Sequence, residues 1–207
     1  MHQTRSEIDT KIPIPRKGTK YVARALSHKN NSVPVVVAVR DMLKLARTAR
    51  EVNEMIKQKL LKINGREVKD YRESVCLFNI LEAGKSYFLI LTENGKFKFE
   101  ETKSVEERLC KVIGKKLQKK NKIQLNMHDG SNILADDKIN INDSVYLDFS
   151  GKIKKHIPLE KGKECIVVKG KYLGEKGKIE QLDNGKAEVK FNKDKSSVLD
   201  KRSIVAI

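Results

Sequence analysis

The residues of this chain best placed to do chemistry are cations, and they recur in clusters. At 100° per residue, Arg40, Lys44 and Arg47 fall within about 60° of one another on a helix. They predict a basic stripe beside an apolar one made by Val39, Met42, Leu43 and Ala46. Arg50 follows on a second helix, and Lys62, Arg66 and Lys69 belong to an adjoining hairpin. A second cluster, Arg16, Lys17, Lys20 and Arg24, lies upstream, and a third, Lys169, Lys171, Lys176 and Lys178, surrounds Gly170, Gly174 and Gly177. The chemistry such clusters do is phosphate neutralisation. Each contact releases condensed counterions, so affinity falls by about 0.7–0.9 log units per log unit of salt. One such stripe alone is usually a solvated helix face. Three clusters on a chain of net charge +17 point to a polyanion.

Catalytic constellations are poorly represented. His2, His28, His128 and His156 are scattered, without a metal spacing such as His-x-x-x-His. His128 beside Asp129 could exchange protons, but a His-Asp-Gly sequence more often builds a turn. Asp136-Asp137 could hold a cation, yet adjacent carboxylates on a loop are usually just solvated. No Walker loop, Gly-x-Gly-x-x-Gly or Gly-x-Ser-x-Gly motif occurs. Cys76, Cys110 and Cys165 are widely spaced and odd in number, which predicts buried neutral thiols in a reducing cytoplasm. The expectation is therefore no catalytic residue, no metal and no cofactor.

The elements that must position these cations follow from patterning. The 207 residues carry 44 Lys+Arg against 27 Asp+Glu, with 39% hydrophobic residues, 5% aromatics and no Trp. Such a core must be aliphatic and divided among small modules. The longest apolar run, Val33 to Val39, falls well short of the roughly 20 residues of a membrane span. Met1 to Ile12 is polar, so no signal peptide is expected. Residues 1–74 hold a net +9 of the +17, which assigns most of the binding surface to the first third.

Residues 1–32 show no apolar periodicity and read as a basic N-terminal arm that orders on its partner. From Val33 a short helix is expected over Val39–Arg47. Thr48 with Glu51 forms a capping box for a second helix that ends near Gln58. Asn64-Gly65 then predicts a hairpin. Residues 84–160 read as a β-rich small barrel or sandwich, with hairpin turns at Asn94-Gly95 and Asp129-Gly130. Ser104 to Glu107 predicts one short helix through Leu109, Val112 and Ile113. Residues 161–207 alternate as strand, glycine-and-lysine loop, strand, turn and strand, the outline of a small curved barrel.

These segments also carry resemblances. Residues 33–83, with Leu61-Lys62-Ile63-Asn64-Gly65-Arg66 at their centre, resemble the S-four type of RNA-binding domain. Residues 164–191 are similar to a KOW motif. In this order, with Pro15-Arg16-Lys17-Gly18-Thr19-Lys20-Tyr21, His128-Asp129-Gly130 and Ile157-Pro158-Leu159-Glu160-Lys161-Gly162, the chain resembles the S-four-e family of small ribosomal subunit proteins. Where that family usually has glycine at the end of the second helix, this chain has Gln58 and Lys59. The short segment after the KOW motif suits an archaeal-type member. The resemblance implies an α+β, multi-domain fold: an S-four type αβ domain, a central β-rich domain and a C-terminal KOW (SH3-like) β-barrel. It implies small-subunit ribosomal RNA and neighbouring small-subunit proteins as partners, with translation on cytoplasmic ribosomes as the setting. A non-ribosomal RNA-binding adaptor of transcription or RNA processing is the second reading. A protein using its basic surface on acidic partners is the third.

Overall fold

The structure, a computed structural model, describes residues 2–102, 107–118, 122–135, 138–191 and 195–207. They fall into two compact units, one within 1–90 and 96–106, the other within 91–95 and 107–207. Strands dominate, and Ala49–Lys57 is the longest helix among the described residues. The expected α+β class thus gives way to a β-rich chain with few helices.

In the first unit, residues 2–32 fold back on themselves. His2–Thr4 pairs antiparallel with Tyr21–Ala23, and Ile8, Ile12, Val22 and Ala25 are buried. These four apolar residues are spaced too irregularly to register as a period, yet they suffice for local burial. Arg5 gathers the segment that follows: its guanidinium donates to the Thr19 carbonyl at 2.7 Å, the Pro15 carbonyl at 2.7 Å and Thr19 Oγ1 at 2.8 Å.

The valine run starts as a strand, Ser32–Pro34, pairing with Ser74–Cys76. It then turns into a helical segment, Val35–Val37, which widens into a π-turn over Ala38–Met42. The Leu43 amide donates to the Ala38 carbonyl and the Leu45 amide to that of Val39. Lys44 takes φ +57 and ends the turn. The sequence expectation of a helix through Arg47 fails here, because a side chain in the left-handed region cannot continue a right-handed helix.

The second helix follows its sequence signals. Thr48 Oγ1 accepts from the Glu51 amide at 3.2 Å, and the Glu51 carboxylate accepts from the Arg47 amide at 2.7 Å. At its end Lys59 adopts φ +58, the conformation a helix terminus normally gives to glycine. A five-stranded sheet follows, ordered Arg66–Glu67, Leu61–Ile63, Ile80–Ala83, Lys85–Leu91, Phe97–Thr102. Its first turn has positive φ at both Asn64 and Gly65, as an Asn-Gly hairpin requires.

The second unit holds two five-stranded sheets, each with its own aliphatic core. One is ordered Asn132–Ala135, Ile123–Met127, Glu107–Leu117, Ser144–Asp148, Ile153–Ile157. Its core gathers Cys110, Val112, Leu125, Met127, Val145 and Leu147. The other is ordered Lys195–Asp200, Lys186–Phe191, Lys176–Leu182, Glu164–Val167, Ile204–Ala206. It packs Cys165, Val167, Ile179, Val189, Phe191 and Ile204.

Glu107–Leu117 is a strand where the capping-box signal predicts a helix. Its one half pairs with Ser144–Asp148 and the other with Ile123–Met127, with the register broken between Val112 and Gly114. Backbone pairing on both sides, with Leu109, Cys110 and Val112 buried, outweighs a local capping preference. Of the capping box itself, Ser104, Val105 and Glu106 lie outside the described residues, as do Asp136 and Asp137.

Candidate nucleic-acid interface

The cations Arg40, Lys44 and Arg47 are not carried on one helix. Because the helical segment ends before Lys44, the stripe of Arg40, Lys44 and Arg47 is not assembled by helical phase. Arg40 is instead engaged by its neighbour. Its Nε and Nη2 donate to the two carboxylate oxygens of Asp41 at 3.0 and 2.8 Å, a bond that raises the guanidinium pKa. Lys44, Arg47 and Arg50 are exposed. On the hairpin, Arg66 is ion-paired with Glu73. Half-buried Lys62 stands opposite Glu67 on one strand and Glu82 on the other. Lys69 is exposed.

Among the earlier residues, Arg16 is exposed, but its Nη1 donates to the Ile8 carbonyl at 2.9 Å. Lys17 is exposed, as is Lys20, whose ammonium lies 5.3 Å from the Tyr21 ring centroid; Arg24 is half-buried. Arg5 is the residue that composition alone undervalued. It counts as one more charge in the sequence but acts as the clamp that shapes the loop carrying Arg16 and Lys17.

The C-terminal cluster is the most open. Lys169, Lys171, Lys176 and Lys178 are all exposed. Alternation along Lys176–Leu182 puts Ile179 in the core and the lysines outside. Lys178 stands opposite Lys190 on one side and Glu164 on the other. Two like charges in register on a sheet face repel, a repulsion eased here by Glu164 and by Glu180, whose carboxylate lies 3.9 Å from the Lys190 ammonium. Lys178 also lines a small cleft with Lys161, Gly162 and Gln181. Lys190, Lys161 and Lys195 escaped the sequence reading. Lys190 was legible as the outward residue between Val189 and Phe191; Lys195 carried no signal.

The charged groups beneath this surface are structural. His128-Asp129-Gly130 is a turn with Gly130 at φ +86. The Asp129 carboxylate accepts from the Ser131 amide at 2.9 Å and its hydroxyl at 2.6 Å, and pairs with Arg108. Burial pushes the Asp129 pKa up, but Arg108 and the Ser131 hydrogen bonds outweigh it and hold the carboxyl below its ordinary value. His128 Nδ1 accepts the Lys111 amide at 3.1 Å, an orienting role.

Lys111 itself is buried. Its Nζ donates to the carbonyls of Lys201 at 2.6 Å and Ile204 at 2.5 Å, tying the central strand of one sheet to the last strand of the other. Burial, reinforced by the Lys169 ammonium, pushes its pKa down to about 8. All three cysteines are buried and none is disulfide-bonded. Burial raises the Cys165 thiol to about 11, which leaves it protonated and inert.

Among the described residues no three His, Cys, Asp or Glu side chains gather as a metal site. None of their helices is long and apolar enough to cross a membrane. Fold and surface together define a strongly basic, β-rich scaffold that presents lysine from loops and sheet faces. Comparison with known proteins narrows this class. Residues 83–153 match the model of the ribosomal family S4e. The small ribosomal subunit protein eS4 of Archaeoglobus fulgidus is 32% identical over 185 residues, spanning 86% of this chain and 79% of its own. Its counterpart in Methanocella arvoryzae is 31% identical over 177 residues, 82% of this chain and 76% of its own. The crystal structure of the 30S ribosomal protein S4e from Thermoplasma acidophilum superposes with a TM-score of 0.73 at 25% identity, covering 86% of this chain and 96% of that one. The chain belongs to the eS4 family. That family is of a structural rather than an enzymatic kind.

Proposed function

We infer that this protein is a structural constituent of the small ribosomal subunit, where it binds and stabilises small-subunit ribosomal RNA and so supports translation on cytoplasmic ribosomes. The carrying observation is the match to archaeal eS4 proteins over more than four fifths of the chain. The lysines around residues 169–178 support the RNA-binding part, because Lys169, Lys171, Lys176 and Lys178 are all exposed. Ribosomal RNA and adjacent ribosomal proteins are the partners; no cofactor is required.

Within this reading, residues 33–83 act as an S-four type RNA-binding domain, 84–160 as a central β-rich module and 161–207 as a KOW barrel, with 1–32 as the basic N-terminal segment. The contacts are divided among Arg16, Lys17, Lys20 and Arg24, then Lys44, Arg47, Arg50, Lys62 and Lys69, and then Lys169, Lys171, Lys176 and Lys178. Arg40 and Arg66 reach phosphate only by exchanging their carboxylate partners, a weaker role. No observation favours the adaptor reading over the ribosomal one.

The test is sedimentation. Tagged protein should migrate with small subunits through a high-salt wash and leave them after nuclease treatment. Dissociation in modest salt, or complexes that survive nuclease intact, would overturn the assignment.

A further inference from the structure

We propose that the C-terminal five-stranded sheet carries a pocket for one nucleobase flipped out of the RNA, with Tyr172 as its stacking platform. This rests on the RNA-binding reading above and deepens it: the lysines would not only neutralise phosphate but deliver a single unstacked base to a built site.

The observations are local to the second unit. A cavity of about 350 Å³ is lined by Tyr172, Phe191, Glu93, Glu175, Lys176 and Lys195. That volume lies at the lower end of ligand pockets, about 300–1,000 Å³, and suits a base with its sugar. Tyr172 and Phe191 stack with ring centroids 4.9 Å apart and planes 21° apart. Phe191 is buried in the core of the sheet, while Tyr172 is half-buried and borders the cavity. A flat ring held this way offers the platform on which unpaired bases bind. With Phe191 against one face of Tyr172, the Lys171 ammonium lies over the ring 5.8 Å from its centroid, so a stacking base displaces this flexible side chain toward its own phosphate. Lys176 and Lys195, also in the cavity lining, are exposed.

The carboxylates argue for the base rather than the phosphate. Ionised carboxylates accept hydrogen bonds and do not donate them, so Glu93 and Glu175 offset the pull of Lys176 and Lys195 on phosphate within the cavity. The two carboxylates suit the exocyclic amino group of adenine, cytosine or guanine, and uracil has none. Exposed Glu93 and half-buried Glu175 share the cavity wall with Lys176 and Lys195, a mixed lining that matches a nucleotide whose backbone meets the lysines while its amino edge meets a carboxylate.

The site is also preformed. Gly174, at φ +87, passes so close to Thr92 that an added Cβ would overlap the Thr92 carbonyl. An added Cβ on Gly95 would lie 2.9 Å from Leu173 Cδ2. The Gly174 amide donates to the Val167 carbonyl at 2.8 Å and the Glu175 amide to the Tyr172 carbonyl at 3.0 Å. A wall pinned at both ends gives up little conformational entropy when a base arrives.

The experiment uses the full chain and three RNA hairpins of equal length: fully paired, with one bulged 2-aminopurine, and with one bulged uridine. The 2-aminopurine hairpin should bind about ten-fold tighter than the paired one, with its fluorescence quenched by stacking, and the uridine hairpin should gain less. Tyr172→Leu should abolish both the preference and the quench while keeping affinity for the paired hairpin; Tyr172→Phe should keep them. If Tyr172→Leu fails to fold, the exposed pair Lys176→Ala and Lys195→Ala should still halve the logarithmic preference or more. Equal affinity for bulged and paired hairpins with unchanged fluorescence overturns the pocket but leaves the RNA-binding reading standing. Failure to bind any of the three overturns that reading itself.

Discussion

Replacing Lys111 by Met should change how the stability of the second unit depends on pH. Lys111 is 4% exposed, and its pKa falls from 10.5 to about 8 in the folded state. Between those values the unfolded chain holds more protons than the folded one, so stability rises with pH. Below about pH 8 the burial cost of the ammonium is present in full; by about pH 10.5 it is relieved. A tenfold change in the protonation equilibrium is worth about 1.4 kcal/mol, so the whole span is roughly 3 kcal/mol. About 2 kcal/mol of it accrues between about pH 7.5 and about pH 9.5. Lys111→Met abolishes this titration while retaining most of the apolar stem. Urea unfolding of both proteins across that interval gives a difference in which all other titrating groups cancel. Wild type should gain about 2 kcal/mol relative to the variant. At about pH 7.5 the variant loses the two carbonyl hydrogen bonds, about 1.5–3 kcal/mol each before the regained desolvation is subtracted. Parallel pH profiles for the two proteins would refute the idea that a desolvated ammonium ties the two sheets together.

Substituting Lys171, Lys176 and Lys178 by Gln should lower the salt slope of ribosomal RNA binding by about 0.7–0.9 for each phosphate-binding lysine removed, as read by filter binding, with melting temperature unchanged. Lys59→Gly should stabilise the first unit by about 1 kcal/mol, because glycine occupies the left-handed region at φ +58 without the side-chain penalty; denaturant midpoints check this. Asp129→Asn should destabilise by about 3–5 kcal/mol by leaving the Arg108 guanidinium, 11% exposed, without its carboxylate. Because the Asp129 pKa is held low, the stability it contributes is present above the unfolded value and lost as pH falls through the folded one; acid unfolding of wild type and variant should converge. Gly174→Ala should collapse the melting transition of the C-terminal sheet, whereas Gly162→Ala, at φ +86 with open space around it, should cost about 1–2 kcal/mol.

Family and charge were readable in the linear chain because both are sums over local features. The Thr48 and Glu51 cap, the Asn64-Gly65 turn and the alternation from Ala187 to Phe191 each act within a few residues, and each took the form its spacing demanded. What failed or went unseen depends on distant partners. Glu107–Leu117 became a strand because two other strands pair with it. The Arg40, Lys44 and Arg47 stripe dissolved because Lys44 turns left-handed after a widened helical turn, a backbone outcome that side-chain periodicity does not encode. Lys111 reads as one more surface charge until the carbonyls of Lys201 and Ile204, some ninety residues on, close around it. The Tyr172 cavity likewise needs Glu93 and Lys195 brought together. Sequence alone determined the polymer's charge, its family and its local turns. Tertiary structure decided which cations remain open to solvent, since burial and ion pairing are properties of neighbours that only folding supplies.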